Sequence, residues 1–351
     1  MNTISPLQLG VLALCARCFS MMTYFPYTGS NTLVFMAALV ISCALQGLML
    51  IPAVMLCKRE GCGLCEAAAR RSVTLAKAAA LLFLAYFLWD IFATVGTFAY
   101  FTDQYFSDQI SRIPAVICAG TAALYLATMR SGVLGKCAGI VFVLFAAFFV
   151  ILFLSAADAP DMSNFHLAQR DLPKALMNDV GGEFVRNREL VMLVFLLGDV
   201  KGSCTRAAYS YLVMKLVILE TVMGFATLVL GELAQQTDMP VFYLSCYSNS
   251  SVIERYDAGF MSVWTMLAVL RIAALVHCAG RCVKIMLPKL PGNSSTIAAG
   301  VLPAAAAAAL LLKRRWKTLA YLREPAVLIA VAAAALPCVV YLLVKGRKKA
   351  A

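Results

Sequence analysis

Hydrophobic and polar positions divide this chain into long apolar runs near residues 7–26, 33–56, 73–101, 112–129, 136–155, 189–208, 209–232, 257–281, 295–312 and 325–344. Each is close to the ~20 apolar residues that an α-helix needs to cross a bilayer. The polar intervals between them are short. The longest, 156–188, holds Asp158, Asp161, Asp171, Asp179 and Glu183 and is too small for a soluble domain. The pattern predicts an all-α polytopic membrane protein of about ten transmembrane helices, forming a single membrane domain over residues 1–351.

Ten spans divide into two sets of five, repeat one over about 1–155 and repeat two over about 189–344. The first run, LQLGVLALCARCFSMMTYFPY, carries Arg17 and Ser20 in its middle and closes at Pro26. The sixth, ELVMLVFLLGDVKGSCTRAAY, carries Gly198, Asp199, Lys201 and Gly202. Hydrophobic segments interrupted at matching places in two halves point to an inverted-repeat transporter with its ligand near the midplane. Unwinding frees backbone N–H and C=O groups, which in hydrocarbon must be met by protein or ligand. The alternative readings are local: Arg17 snorkels or pairs, and Gly202 marks the cytoplasmic end of a short helix.

Composition agrees with the pattern, since the 351 residues are 62% hydrophobic and 14% charged and the mean hydropathy is +0.84. A soluble domain carries about a quarter charged residues. The formal net charge of +12 does not imply nucleic acid, because Lys58, Arg59, Arg70, Arg71 and the tail from Lys345 to Lys349 sit between or after the apolar runs. Lysine and arginine collect in cytoplasmic loops. That bias places both termini in the cytoplasm and the acidic interval 156–188 outside. Lys313, Arg314, Arg315, Lys317 and Arg323 fall on the wrong side of this scheme, so an eleventh membrane dip or a misplaced ninth span competes there. Of the thirteen cysteines, Cys57, Cys62 and Cys65 are the closest group, but a fourth thiolate is missing from their loop. Buried cysteine behaves as a small hydrophobe, so neither a metal nor a cofactor is expected.

Ionisable residues inside spans carry the candidate chemistry. Arg17, Asp90, Glu220 and Arg271 all lie within apolar runs, where a charge costs ~3 kcal/mol on insertion scales and normally faces the bundle interior with a partner. Sign and depth suggest the pairs Arg17–Asp90 and Arg271–Glu220. Trp89, beside Asp90, is placed to line a pocket. No zinc-protease, Walker A, dinucleotide or nucleophile-elbow signature is present, so catalysis is not expected.

ISPLQL at 4–9 before the first span, the ten-span layout and S-x-x-E-R-Y-D-A-x-F-x-x-x-W at 251–264 together resemble the B subunit of spore nutrient germinant receptors. This is the GerAB-type spore permease family of the amino acid–polyamine–organocation superfamily. Ser251, Glu254, Arg255, Asp257, Phe260 and Trp264 carry the resemblance, with Ser5, Gln8 and Pro26 in support. It implies a leucine-transporter-like 5+5 inverted repeat with broken helices one and six. It also implies a nutrient-sensing subunit for a small molecule such as an amino acid, in the cell or spore inner membrane. The implied partners are an A-type membrane subunit and a C-type lipoprotein. The implied pocket is lined by Cys18, Phe19, Ser20 and Met21 from the first span and by Leu197, Gly198 and Asp199 from the sixth. Phe19 stands where relatives carry a small residue and narrows that space. Two further readings stay open: an H⁺- or Na⁺-coupled amino acid transporter, and a scaffold subunit with a closed pocket.

Overall fold

The computed structural model describes residues 3–23, 32–106, 112–156, 160–165, 171–237, 239–247, 256–290, 296–298, 300, 329 and 331–347. Among these residues the secondary structure is helical, apart from one isolated parallel bridge between Ile4 and Val200. The helices are α1 (Pro6–Thr23), α2 (Thr32–Glu60), α3 (Leu64–Arg71), α4 (Val73–Phe106), α5 (Arg112–Ala127), α6 (Ser131–Ser155), α7 (Leu172–Arg186), α8 (Glu189–Leu196), α9 (Cys204–Leu230), α10 (Leu233–Gln236), α11 (Pro240–Tyr247), α12 (Tyr256–Met286) and α13 (Leu336–Arg347).

Local chemistry sets several of these ends. Ser5 and Gln8 form a reciprocal cap at the start of α1: the Gln8 amide donates to Ser5 Oγ at 3.2 Å and the Ser5 amide to Gln8 Oε1 at 3.1 Å. This satisfies two of the four N–H groups that a helix start leaves without partners. Ser203 caps α9 by accepting from the Arg206 amide. Gly202, at φ 126, turns the chain between α8 and α9 in a conformation that favours glycine.

Six helices, α1, α2, most of α4, α6, α9 and α12, are long and apolar enough to cross a membrane among the described residues. Ile113–Ala127 and Val331–Val344 are shorter apolar helices. The expected ninth span and the basic loop 313–323 lie outside the described residues, apart from positions 296–298 and 300. Burial follows the order of a membrane bundle. The first helix is central and buried almost all round from Leu9 to Phe19. Large side chains such as Leu48, Ile51, Ile140, Val143 and Leu154 point outward from α2 and α6. Outward apolar faces of that extent suit lipid and not water.

The sixth expected span takes a different form. Residues 189–208 are not one helix: α8 ends at Leu196, a 3₁₀ turn covers Leu197–Asp199, and α9 begins at Cys204. Within the acidic interval, α7 precedes α8 and is separated from it at Asn187–Arg188. The Arg188 carbonyl at this break accepts a hydrogen bond from the Tyr86 hydroxyl at 2.9 Å. The expected interruption at Gly198–Asp199 is therefore present, and a second one stands some ten residues before it. The expected break in the first span is not observed, because α1 is continuous from Pro6 to Thr23; Pro26 lies outside the described residues.

Candidate functional site

Arg271 stands at the midpoint of α12 and is only 2% exposed. A guanidinium has five N–H donors and no acceptor, and at this depth they must be met by protein oxygens. Nη1 donates to the Ala16 carbonyl at 2.8 Å, to Ser20 Oγ at 2.5 Å and, by a short contact, to Glu189 Oε1. Nη2 reaches both Asp90 oxygens at 3.1 and 3.2 Å, and Nε reaches Thr94 Oγ1 at 3.1 Å. Four elements thus meet at one cation: α1, α4, α8 and α12. Ser20 also donates to Glu189 Oε1 at 3.3 Å. Arg188, at the α7–α8 break, pairs with Asp90 at 3.4 Å and lies over the Trp89 ring at 4.7 Å.

A second cluster lies between α1, α2, α7 and α9. Glu183 is fully buried and binds Arg17 at 2.6 Å and Lys215 at 3.1 Å. Lys215 also donates to Gln46 Oε1 at 2.7 Å. Asn187 contacts Gln46 at 2.6 Å and shares a short hydrogen bond with the Tyr211 hydroxyl. With its carboxamide turned over, Asn187 donates to Glu189 Oε2 at 3.3 Å, which links the two clusters through the helix break. Removing two charges from water costs several kcal/mol per ion, and each cation here has a carboxylate in contact.

Both expected pairs are corrected by this geometry. Arg17 pairs with Glu183 and not Asp90, and Arg271 pairs with Asp90 and Glu189 and not Glu220. Neither carboxylate oxygen of Glu220 has a hydrogen-bond partner among the described residues. The expected pocket is also divided. Ser20, Asp90 and Trp89 belong to the Arg271 site. Phe19 is wedged beside it, stacked on Trp264 at 5.7 Å and 6.0 Å from the Arg271 guanidinium carbon. Cys18 and Met21 are buried in the core on the same helix.

Leu197, Gly198 and Asp199 instead form the far end of α8. Asp199 accepts from Ser131 Oγ at 2.9 Å and pairs closely with Arg281, ten residues beyond Arg271. Glu189 and Asp199 are also ten residues apart, so α8 and α12 run side by side in the same direction, joined by ion pairs ~15 Å apart. The Leu197 carbonyl faces the thiols of Cys57 and Cys204, whose sulfurs are 2.6 Å apart. Gly198 packs on Gly63, and a Cβ there would stand 2.2 Å from Gly63 Cα. The Ile4 amide donates to the Asp199 carbonyl at 3.0 Å and the Lys201 amide to the Ile4 carbonyl at 2.9 Å. This end of the molecule is closed by backbone pairing and by an ion pair.

Of the motif residues, Ser251, Glu254 and Arg255 lie outside the described residues. Asp257 is in the first turn of α12, where a carboxylate suits the positive end of the helix dipole. Phe260 is buried against Phe242. Trp264 stacks between Phe98, at 4.8 Å, and Phe19, and donates from Nε1 to Thr23 Oγ1 at 2.9 Å.

Sequence reasoning missed Glu183, Asn187, Arg188, Glu189, Lys215, Gln46 and Thr94. A signal for the first two was present: Asp179, Glu183 and Asn187 recur every four residues, which puts them on one helix face, and all three are buried.

A scan against protein-family models finds no match, and a search of curated proteins finds none either. Solved structures do match. One is the substrate-bound, outward-open state of a Na⁺-coupled sialic acid symporter, with 12% identity, TM-score 0.65, and coverage of 95% of this chain and 78% of that one. Another is a nucleobase-cation-symport-1 family transporter in a closed conformation with bromovinylhydantoin bound. It has 12% identity, TM-score 0.59, and coverage of 87% of this chain and 72% of that one. The chain is a multi-pass membrane protein with the fold of these symporters.

Proposed function

From that shared fold and the charged core, we propose that this protein binds a small amino acid-like molecule where α1, α4, α8 and α12 meet, and that it serves as the nutrient-sensing subunit of a spore germinant receptor. The observation that carries the binding site is the interruption at Asn187–Arg188, flanked by Glu183 and Glu189 and facing Arg271, Ser20 and Asp90. Broken helices at bilayer depth hold ligand sites because their freed backbone groups and the charges beside them need partners. The site offers both signs: Arg188 and Arg271 suit a carboxylate, and Asp90 and Glu189 suit an ammonium group. The sensing role rests on the resemblance over Ser251 to Trp264. With it come an A-type membrane subunit and a C-type lipoprotein as partners and residence in the cell or spore inner membrane; the lysine and arginine bias of the loops supports cytoplasmic termini. No catalytic role is assigned.

A second reading, a secondary amino acid transporter coupled to H⁺ or Na⁺, is favoured by the substrate-bound symporters of the same fold. A thermal-shift panel of the common amino acids tests the shared premise: at least one should raise the melting temperature of the purified protein, and Glu189→Gln should abolish the shift. Proteoliposome uptake separates the readings. A sensor gives binding without accumulation, whereas saturable, gradient-driven uptake would establish the transporter.

A further inference from the structure

Two buried thiols meet at the far end of α8, away from the Arg271 site. Cys57 lies near the end of α2 and Cys204 is the first residue of α9. Both are 7% exposed, and their sulfurs stand 2.6 Å apart. A formed S–S bond measures ~2.05 Å, so little movement separates this contact from a bond. Both thiols also point at one acceptor, the Leu197 carbonyl, at 3.4 and 3.6 Å. We propose that Cys57 and Cys204 are an oxidation site: a peroxide joins them in a reversible disulfide that fastens α2 to α9 across the end of α8. The proposal is independent of what binds beside Arg271.

The surroundings suit this chemistry. Lys58, directly after Cys57, and Lys201, Gly202 and Ser203, directly before Cys204, are all exposed, which puts the pair within reach of a small oxidant from the water side. Hydrogen peroxide transfers one oxygen to a thiol, giving a sulfenic acid and a water. The second thiol then attacks that sulfur, forms the S–S bond and releases a second water. Two electrons pass from the sulfurs to the peroxide, and a dithiol returns them. Oxidation removes both S–H donors, yet the Leu197 carbonyl keeps the Val200 amide at 3.3 Å, so it is not left without a donor. The lysine and arginine bias of the loops supports a cytoplasmic position for this end, where a disulfide is a transient response to oxidant and not a permanent staple. The bond lies beside contacts that otherwise have no covalent tie, Gly198 on Gly63 and Ile4 on residues 199–201. With α2 and α9 joined, these contacts open less often.

The test uses the full chain in lipid nanodiscs, first reduced, then treated with hydrogen peroxide, alkylated and digested without reductant. Mass spectrometry should find peptides joined through Cys57 and Cys204, and dithiothreitol added to the folded, oxidised protein should separate them. Hydrogen exchange at the Lys201 amide, which donates to the Ile4 carbonyl, should slow several-fold on oxidation and recover on reduction. Cys57→Ser and Cys204→Ser should each lose both responses; if one of them does not fold, the other and the wild type carry the comparison. Absence of the joined peptides after peroxide, or a bond from either cysteine to Cys62 or Cys65 instead, overturns the proposal. Joined peptides with unchanged exchange at Lys201 refute the fastening of α2 to α9. A bond that survives dithiothreitol in the folded protein is a permanent bridge, and reversibility is refuted. None of these measurements uses an organic ligand, so an amino acid panel without effect counts against the site beside Arg271 and not against this one.

Discussion

Glu183 holds two buried cations, Arg17 and Lys215, and has no exposure to solvent. Glu183→Gln would leave both without their carboxylate. Breaking a buried pair in this way typically costs about 3–5 kcal/mol, so the melting temperature should fall sharply. Glu220→Gln, which removes a carboxylate whose oxygens have no hydrogen-bond partner among the described residues, should leave stability unchanged or raise it. Double-mutant cycles distinguish the same pairs: Arg271 with Glu189 should couple by roughly 0.5–3 kcal/mol, and Arg271 with Glu220 not at all. That Arg271 needed an acidic partner was legible from its place in an apolar run. Its partner was not, because depth along a sequence says nothing of which helix lies across the core. Glu183 is legible as a charge but falls in the polar interval 156–188, whose composition does not mark it as helical.

At the scale of the element, Gly198 and Gly63 approach each other closely. A methyl group on Gly198 would meet the Gly63 backbone at 2.2–2.3 Å, whereas one on Gly63 would sit 3.6 Å from Gly198 Cα. Gly198→Ala should therefore destabilise by ~1–3 kcal/mol, the usual range for overpacking, and Gly63→Ala much less. Equal losses for the two would show that this contact is not the tight one. The sequence marks Gly198 and Gly202 as special, and both are, but as the packed end and the turn after α8. The other helix break, at Asn187–Arg188, needs no glycine, because Tyr86 from α4 satisfies the Arg188 carbonyl. That long-range hydrogen bond left no local trace.

Over the whole molecule, ten apolar runs were enough to recover a helical membrane protein, because hydrocarbon permits few other solutions. The clamp between the N-terminal segment and the end of α8 was not recoverable. Residues 3–5 precede any periodic pattern, yet Ile4 is buried and pairs with the backbone on both sides of Val200. Deleting residues 1–4 should speed hydrogen exchange at the Lys201 amide, which loses its acceptor, while leaving the amides in the middle of α12 protected. Uniform acceleration across the protein would indicate global loosening instead.

The stack of Phe98, Trp264 and Phe19 places an indole in the core, 5.7 Å from a ring that also faces Arg271. A molecule that displaces Phe19 on entering beside Arg271 changes the surroundings of the chromophore. The protein thus carries its own optical reporter. In a Trp89→Phe, Trp316→Phe background, the emission of Trp264 should shift on addition of a bound amino acid and stay constant with one that does not bind, with no external label attached.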